Sequence, residues 1–490
     1  MEVLPVEMLD LILDRCEHAS LKRLRFVNKE FHDIPTPKVF EHVYMAMFDE
    51  HLEHLRLISQ SVLAKHVKTF TFYTELIPTF VVGTNFEQSK WEGIIDFRDD
   101  IMIDEMTVPT IYRTYSGSVS SLRDCFHENL RPHHFSQWHR DAGWREFCDL
   151  RQQQLAWTQE QTSIGFKDYF AMLPNVTEAN FMPSTDQYLQ SNKSPAWKKL
   201  RERMLVGPSD WMDEPLDSSV NGHELSGVAC LSFLEAIGSR ASLPGVKQIT
   251  KLDVWSLHDG PLQDLMNSDD GTELTYIQRG WDTRYQKLQE GFRPLTELTF
   301  NVHHEYYVKE DLSQQKVVEL MGLLHAAKRL KKAHVVYTNK DEFDMHLDPF
   351  ESSLARAPPS WPAIEHLTMS THNMTHPHFV NMLRCYAPTL RSIKLDTMMV
   401  GDLEPFIAEL PRVLKKLETV HLQGIYYRCP HCKRLHCQFG REYGFGTLEG
   451  WAVKAYILGK QTALPDLAPR KACREWRFAN PIRDDDSDSD

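Results

Sequence analysis

No stretch of this 490-residue chain approaches the roughly 18 consecutive apolar residues that a membrane-spanning helix needs. The N-terminus has no basic region, and Asp10 and Asp14 interrupt its apolar run, so no secretory signal is expected. The nine cysteines are odd in number and scattered, which excludes a disulfide framework and points to a reducing compartment, cytoplasm or nucleus. Positive charge is also short: 55 Lys and Arg stand against 68 Asp and Glu, for a net charge of −13. The closing DDDSDSD supplies part of that deficit as a solvated tail, yet the remaining body is still acidic, which argues against nucleic acid. No G-x-S-x-G, H-E-x-x-H or G-x-x-x-x-G-K-[ST] occurs, and the glycines of GREYGFGTLEG lack dinucleotide-fold spacing. His303-His304, and His372, His376 and His378, have no carboxylate at metal-ligand spacing. No catalytic set emerges, and no enzyme is expected.

What the chain does have is an unusually apolar opening. Nine of the residues from Val3 to Cys16 are apolar, with only Glu7, Asp10, Asp14 and Arg15 to face water. Pro5 suits a first helical turn, and Leu9, Ile12, Leu13 and Cys16 fall on one helical face. Leu4, Met8 and Leu11 lie to its side. Ser20 is a plausible N-cap for a second helix, SLKRLRFVNKEFHDI, striped by Leu21, Leu24, Val27, Phe31 and Ile34. Ile34-Pro35 and Thr36-Pro37 should end it. A unit of roughly 40 residues rarely buries enough surface to stand alone, so its surplus apolar faces need another surface. That surface belongs either to the rest of this chain or to a partner.

The order Leu4-Pro5-x-Glu7-Met8-Leu9-x-x-Ile12-Leu13, then Leu21-x-x-Leu24-Arg25-x-Val27-Asn28-Lys29-x-Phe31, resembles the F-box. Asn28 stands where many members carry cysteine. The resemblance implies a three-helix F-box-like unit over residues 1–45. Such a unit docks on the adaptor subunit of a cullin–RING (SCF-type) ubiquitin ligase, of the S-phase-kinase-associated type. It places Leu4, Pro5, Met8, Leu9 and Ile12 at the adaptor. Leu24 and Val27 either join them or hold the helices together.

Residues 66–73, HVKTFTFY, alternate as a strand does, and 142–172 read as helical. Phe80 to about Tyr115 reads as a polar insertion. The passage from a Gln-rich helix into Leu173-Pro174-Asn175-Val176 and a strand is similar to fungal F-box proteins. Residues 46–240 are therefore expected to hold linker helices and irregular first repeats.

From 241 to 470 one phrase recurs: proline and an apolar residue, then an alternating strand. Strands are expected in ITKLDVWSL, LTELTFNVHH, AHVVYT, IEHLTMST, LRSIKLDT and LETVHLQG. Three helical stretches lie between them: the first includes Val317, Leu320, Met321 and Leu324; the second Phe379, Leu383 and Tyr386; the third Leu403, Phe406, Ile407 and Leu410. Matched strand positions are Leu252, Leu298, Val335, Leu367, Ile393 and Val420. The last intervals fit the roughly 20–29 residues of a leucine-rich repeat, and the earlier ones need insertions. The expected fold is mixed α/β, a degenerate leucine-rich-repeat-like solenoid, with an ordinary two-faced α/β domain as the alternative. Strand alternation then turns Asp253, Thr299, Val336, Thr368, Lys394 and His421 away from the core. Trp255, Asn301, Thr338, Ser370, Asp396 and Gln423 follow on the same face. This mixed surface, and chiefly Asp253, Trp255, Asn301, Lys394, Asp396, His421 and Gln423, suits a protein substrate.

YRCPHCKRLHC, within a hairpin expected near 425–440, is the one stretch with metal-ligand character. Cys429, Cys432 and Cys437 could share one structural zinc with Cys473 or His436, since zinc closes a tetrahedron of four ligands. The same spacing also suits a reduced loop with no metal. Residues 471–490 read as a tail. The composite expectation is a ligase substrate receptor, and the alternative is a solenoid scaffold that serves no ligase.

Overall fold

The computed structural model describes residues 12–73 (except 14, 28 and 30–32), 137–156, 160–182, 221–258, 281–304, 314–339, 354–370 (except 355), 376–400, 403–428, 435–438 and 448–465. The fold is α/β. It divides into two compact units, Met1–Gly291 and Phe292–Asp490.

The first unit opens with helices α1 (His18–Leu24) and α2 (Thr36–Val39). Its strands are β1 (His42–Met45), β2 (Thr69–Tyr73), β3 (Glu178–Met182) and β4 (Lys251–His258). They pair in parallel, each with the next in the chain. Helices α3 (Asp49–Ser59), α4 (Gln137–Ala156), α5 (Glu160–Ala171), α6 (Asn221–Ala241) and α7 (Trp281–Phe292) accompany them, with a 3-10 turn at Val62–His66. Residues 42–45, which the sequence places within the N-terminal helical unit, thus pair as a strand with Thr69–Phe72.

The second unit repeats the pattern. Strands β5 (Glu297–His304), β6 (Lys332–Asn339), β7 (His366–Ser370), β8 (Ser392–Met399) and β9 (Thr419–Arg428) are parallel and in chain order. Helices α8 (Gln314–Ala326), α9 (His376–Tyr386), α10 (Leu403–Val413) and α11 (Leu448–Ile457) complete it. A final strand, β10 (Leu435–Gln438), reverses direction and pairs antiparallel with β9.

One hydrogen-bonding device marks the start of strand after strand. A single carbonyl accepts two consecutive N–H groups of the next repeat. The Glu41 carbonyl takes Lys68 N at 2.8 Å and Thr69 N at 3.0 Å; the Lys68 carbonyl takes Thr177 N and Glu178 N; the Thr177 carbonyl takes Thr250 N and Lys251 N. In the second unit the carbonyls of Thr296, Lys331, Glu365 and Arg391 do the same for the strands beginning at 332, 366, 392 and 419. Shared acceptors of this kind satisfy backbone donors that would otherwise be buried unpaired. The device uses main-chain atoms alone, so it demands no particular side chain.

The cores follow from strand alternation. In the first unit Phe70 and Phe72 face α5 and α6, where they meet Phe166, Phe170 and Phe233. Phe181 joins from β3, with its ring centroid 5.4 Å from that of Phe233. Edge-to-face and offset pairs of this kind add to the area they bury. In the second unit Leu298, Phe300, Leu367, Met369, Ile393, Leu395, Val420 and Leu422 are buried with Leu324, Phe379, Leu383, Phe406 and Leu410 of the helices. Trp361 stacks on Tyr386 at 5.5 Å and donates its ring N–H to the Leu324 carbonyl.

Helix α6 is buried at every position from Ala229 to Gly238, which removes the one-sided stripe that marks a surface helix. It also carries polar groups into the core. The Glu235 carboxylate is ion-paired with both Lys167 of α5 and Arg284 of α7. Arg240 is 1% exposed and donates to the carbonyls of Phe170, Val176 and Lys247 at 3.1–3.2 Å.

Three local expectations are corrected. Ser20 is not an N-cap, because α1 begins two residues earlier, with Glu17 at the N-cap position and making no side-chain capping bond. Pro35 and Pro37 start a helix instead of only ending one: Pro35 is the N-cap of α2, and Pro37 sits in its first turn, where a missing N–H costs nothing. The register of β6 is two residues earlier than expected. Ala333, not Val335, lies opposite Leu298 and Leu367, so His334 and Val336 take the places expected of Val336 and Thr338. The polar stretch from Phe80 to Tyr115 lies outside the described residues.

Candidate interaction surfaces

In the N-terminal segment Leu13, Leu21 and Val39 form a small buried core, with Cys16, Leu24, Ile34 and Phe40 packed against it. Arg25 lies over the Phe40 ring, its guanidinium carbon 5.0 Å from the ring centre. Leu24 therefore points to the interior of the hairpin. Its neighbours do not. Ile12 is 47% exposed, Val27 63% and Phe26 90%. The sequence left open whether Leu24 and Val27 share a role, and the structure separates them. Leu4, Pro5, Met8 and Leu9 lie outside the described residues. Phe26 was missed because it falls beside the Leu21–Leu24 stripe; only packing tells which side of so apolar a turn faces out.

The outward sheet face of the second unit brings together five of the seven residues expected to meet a substrate. Lys394 and His421 are direct cross-strand neighbours, as are Asp396 and Gln423. Asn301 continues the second row through Val336 and Ser370. Lys394 and His421 are exposed, Asp396 and Gln423 are half-buried, and Asn301 is buried. Two polar contacts on the face are long: Lys394 Nζ to Asp396 Oδ2 is 3.9 Å, and the ring Nε2 of His421 lies 3.4 Å from Gln423 Oε1. Asp253 and Trp255 belong to the first unit and lie half-buried on β4.

That first-unit face holds a polar group the sequence did not flag. Register aligns Tyr44, Thr71, Asn180 and Asp253 across β1 to β4. Asn180 Nδ2 donates to Thr71 Oγ1 at 3.2 Å, and the His42 ring Nε2 lies 2.8 Å from the same oxygen. Asn180 Oδ1 is buried with no hydrogen-bond partner. A lone asparagine in a strand pattern carries no signal that could have revealed this.

Of the proposed zinc ligands, Cys437 sits on β10 opposite Tyr426. Cys429, Cys432 and Cys473 lie outside the described residues. Among the described residues no group of three His, Cys, Asp or Glu side chains is arranged to hold a metal, and no helix is long and apolar enough to cross a membrane.

No family model matches this sequence, and no curated protein matches it.

Proposed function

We propose that this chain is a substrate receptor of a cullin–RING ubiquitin ligase. The N-terminal hairpin grips the ligase adaptor, and the parallel-stranded body presents a protein substrate through its outward sheet face. Catalysis belongs to the assembled ligase.

The observation that carries the reading is the contrast within one small hairpin. Leu13, Leu21 and Val39 are spent on its own core, while Ile12, Phe26 and Val27 remain in water. Three large apolar side chains left uncovered on one small hairpin are what a docking surface needs. Ile12 and Val27 occupy named positions of the F-box-like order, and Phe26 is the residue between Arg25 and Val27. The body is read as a leucine-rich-repeat-like solenoid. In support, strands succeed one another in chain order, and the shared-carbonyl device recurs at their starts.

Titration of the full chain with the purified adaptor subunit tests this. A one-to-one complex is expected. Ile12→Glu combined with Val27→Glu should weaken it at least about tenfold, since buried charge in an anchor pocket costs more than about 1.4 kcal/mol. The thermal transition should hardly move, because both side chains are exposed. No binding by the parent chain, under conditions where an established F-box protein binds, removes the reading. Parent-like binding by the double variant moves the contact elsewhere and favours a scaffold that serves no ligase.

A further inference from the structure

We infer that the adaptor contact extends beyond the hairpin onto a basic, apolar-studded edge of the first unit, and that the matching face of the partner is acidic. This rests on the ligase reading above.

The edge is made by the connections that lead from helix into strand. Val62 begins the 3-10 turn before β2, Met172 follows α5 before β3, and Leu243 follows α6 before β4. These three apolar side chains are all exposed, Val62 at 78%. Hydrogen bonds hold the three connections side by side. Asn175 Nδ2 donates to the Lys65 carbonyl at 2.6 Å, and Lys247 N donates to the Pro174 carbonyl at 2.8 Å. The row is thus one surface made by distant parts of the sequence.

Helix α2 joins that surface to the hairpin. It packs on α1 and also on the Val62–His66 turn. A partner seated on Ile12, Phe26 and Val27 can therefore continue past α2 onto Val62.

Charge sets the chemistry of the partner. Segments 61–68, 172–177 and 242–250 contain Lys65, Lys68 and Lys247 and no carboxylate, in a chain of net charge −13; Lys68 is paired with Glu41 at 2.9 Å, which leaves Lys65 and Lys247 as the edge's contribution. Among the described residues of the hairpin, exposed Arg15, Lys22, Arg23 and Lys29 outnumber exposed Glu17 and Asp33. Helix dipoles account for lysines just past helix ends. They do not account for valine, methionine and leucine left in water beside them. Apolar anchors bordered by an excess of positive charge suit a protein face of the opposite sign, and the charge should act mainly on association rate and salt dependence.

The test is calorimetric titration of the purified adaptor into the full chain carrying Val62→Glu, Met172→Glu and Leu243→Glu. The expected result is an affinity loss of about tenfold or more with an unchanged thermal transition. A second variant, Lys65→Glu with Lys247→Glu, should slow association and flatten the dependence of affinity on salt. Parent-like affinity in the triple variant, while Ile12→Glu/Val27→Glu weakens binding, overturns the extension and leaves the ligase reading standing. Failure of the parent chain to bind at all overturns both. Parent-like salt dependence in the lysine variant overturns the acidic partner face.

Discussion

Arg240→Leu should destabilise the first unit by about 3–5 kcal/mol, the sum of several charge-assisted bonds lost in a buried site. Arg240 reaches three carbonyls: that of Phe170 in the last turn of α5, that of Val176 in the connection to β3, and that of Lys247 in the connection to β4. Its guanidinium also lies 5.4 Å from the centre of the Phe170 ring. Burial pulls its pKa down to about 10, so it remains charged at neutral pH and its bonds remain charge-assisted. Leucine fills part of the volume and supplies no donor, leaving carbonyls to face an apolar neighbour. Arg240→Lys keeps the charge but brings one nitrogen in place of a fork, and should recover only part of the loss. Denaturant unfolding followed by circular dichroism, with hydrogen exchange over 170–177 and 243–250, measures both. Equal midpoints for parent and Arg240→Leu would show that the carbonyls find other donors.

Gly238→Ala should be comparably severe, near 3 kcal/mol, at the upper end of the cost of overpacking. A Cβ at Gly238 would lie 2.0 Å from the Lys287 carbonyl oxygen and 2.6 Å from its carbon. Those are backbone atoms of α7 and cannot swing aside as a side chain could. The helices would have to separate, and Glu235 would lose its reach to Arg284. At Gly291, on the opposing helix, the nearest approach is 3.1 Å, so Gly291→Ala should cost only about 1 kcal/mol by the same reasoning. Thermal scans of the two single variants give the comparison. A mild Gly238→Ala and a severe Gly291→Ala would contradict the packing described for this crossing.

The sequence was most legible where one face of an element is buried and the other is not. LTELTF, LRSIKL and LETVHL alternate cleanly and lie on β5, β8 and β9, with the expected residues in the core. Helix α10 was legible for the same reason: Leu403, Phe406, Ile407 and Leu410 are buried on one side. Legibility failed where burial is uniform. In α6 no period survives between Ala229 and Gly238, because every one of those positions is inside. In β1 the strand runs straight into Ala46, Met47 and Phe48, all buried, so alternation is lost. At β6 Ala333 and Val335 share the inward phase, and only pairing with β5 and β7 selects Ala333 as the match to Leu298. The interaction surfaces were legible in part. Strand phase identified Lys394, Asp396, His421 and Gln423 as one face. It could not identify Val62, Met172 and Leu243, whose proximity depends on hydrogen bonds between segments over a hundred residues apart in the case of Asn175 and Lys65.

Since main-chain atoms fix where each strand begins, length can vary freely only after a strand ends. Residues 327–331, 387–391 and 414–418 bridge helix to strand with little to spare. By contrast, 74–136 and 183–220 both follow a strand and precede the next described helix. In chain order, these long intervals thus fall after strands, and the short ones fall between a helix and the strand that follows it. A chain built this way can gain or lose residues after its strands while the shared acceptors that set each strand's start stay as they were.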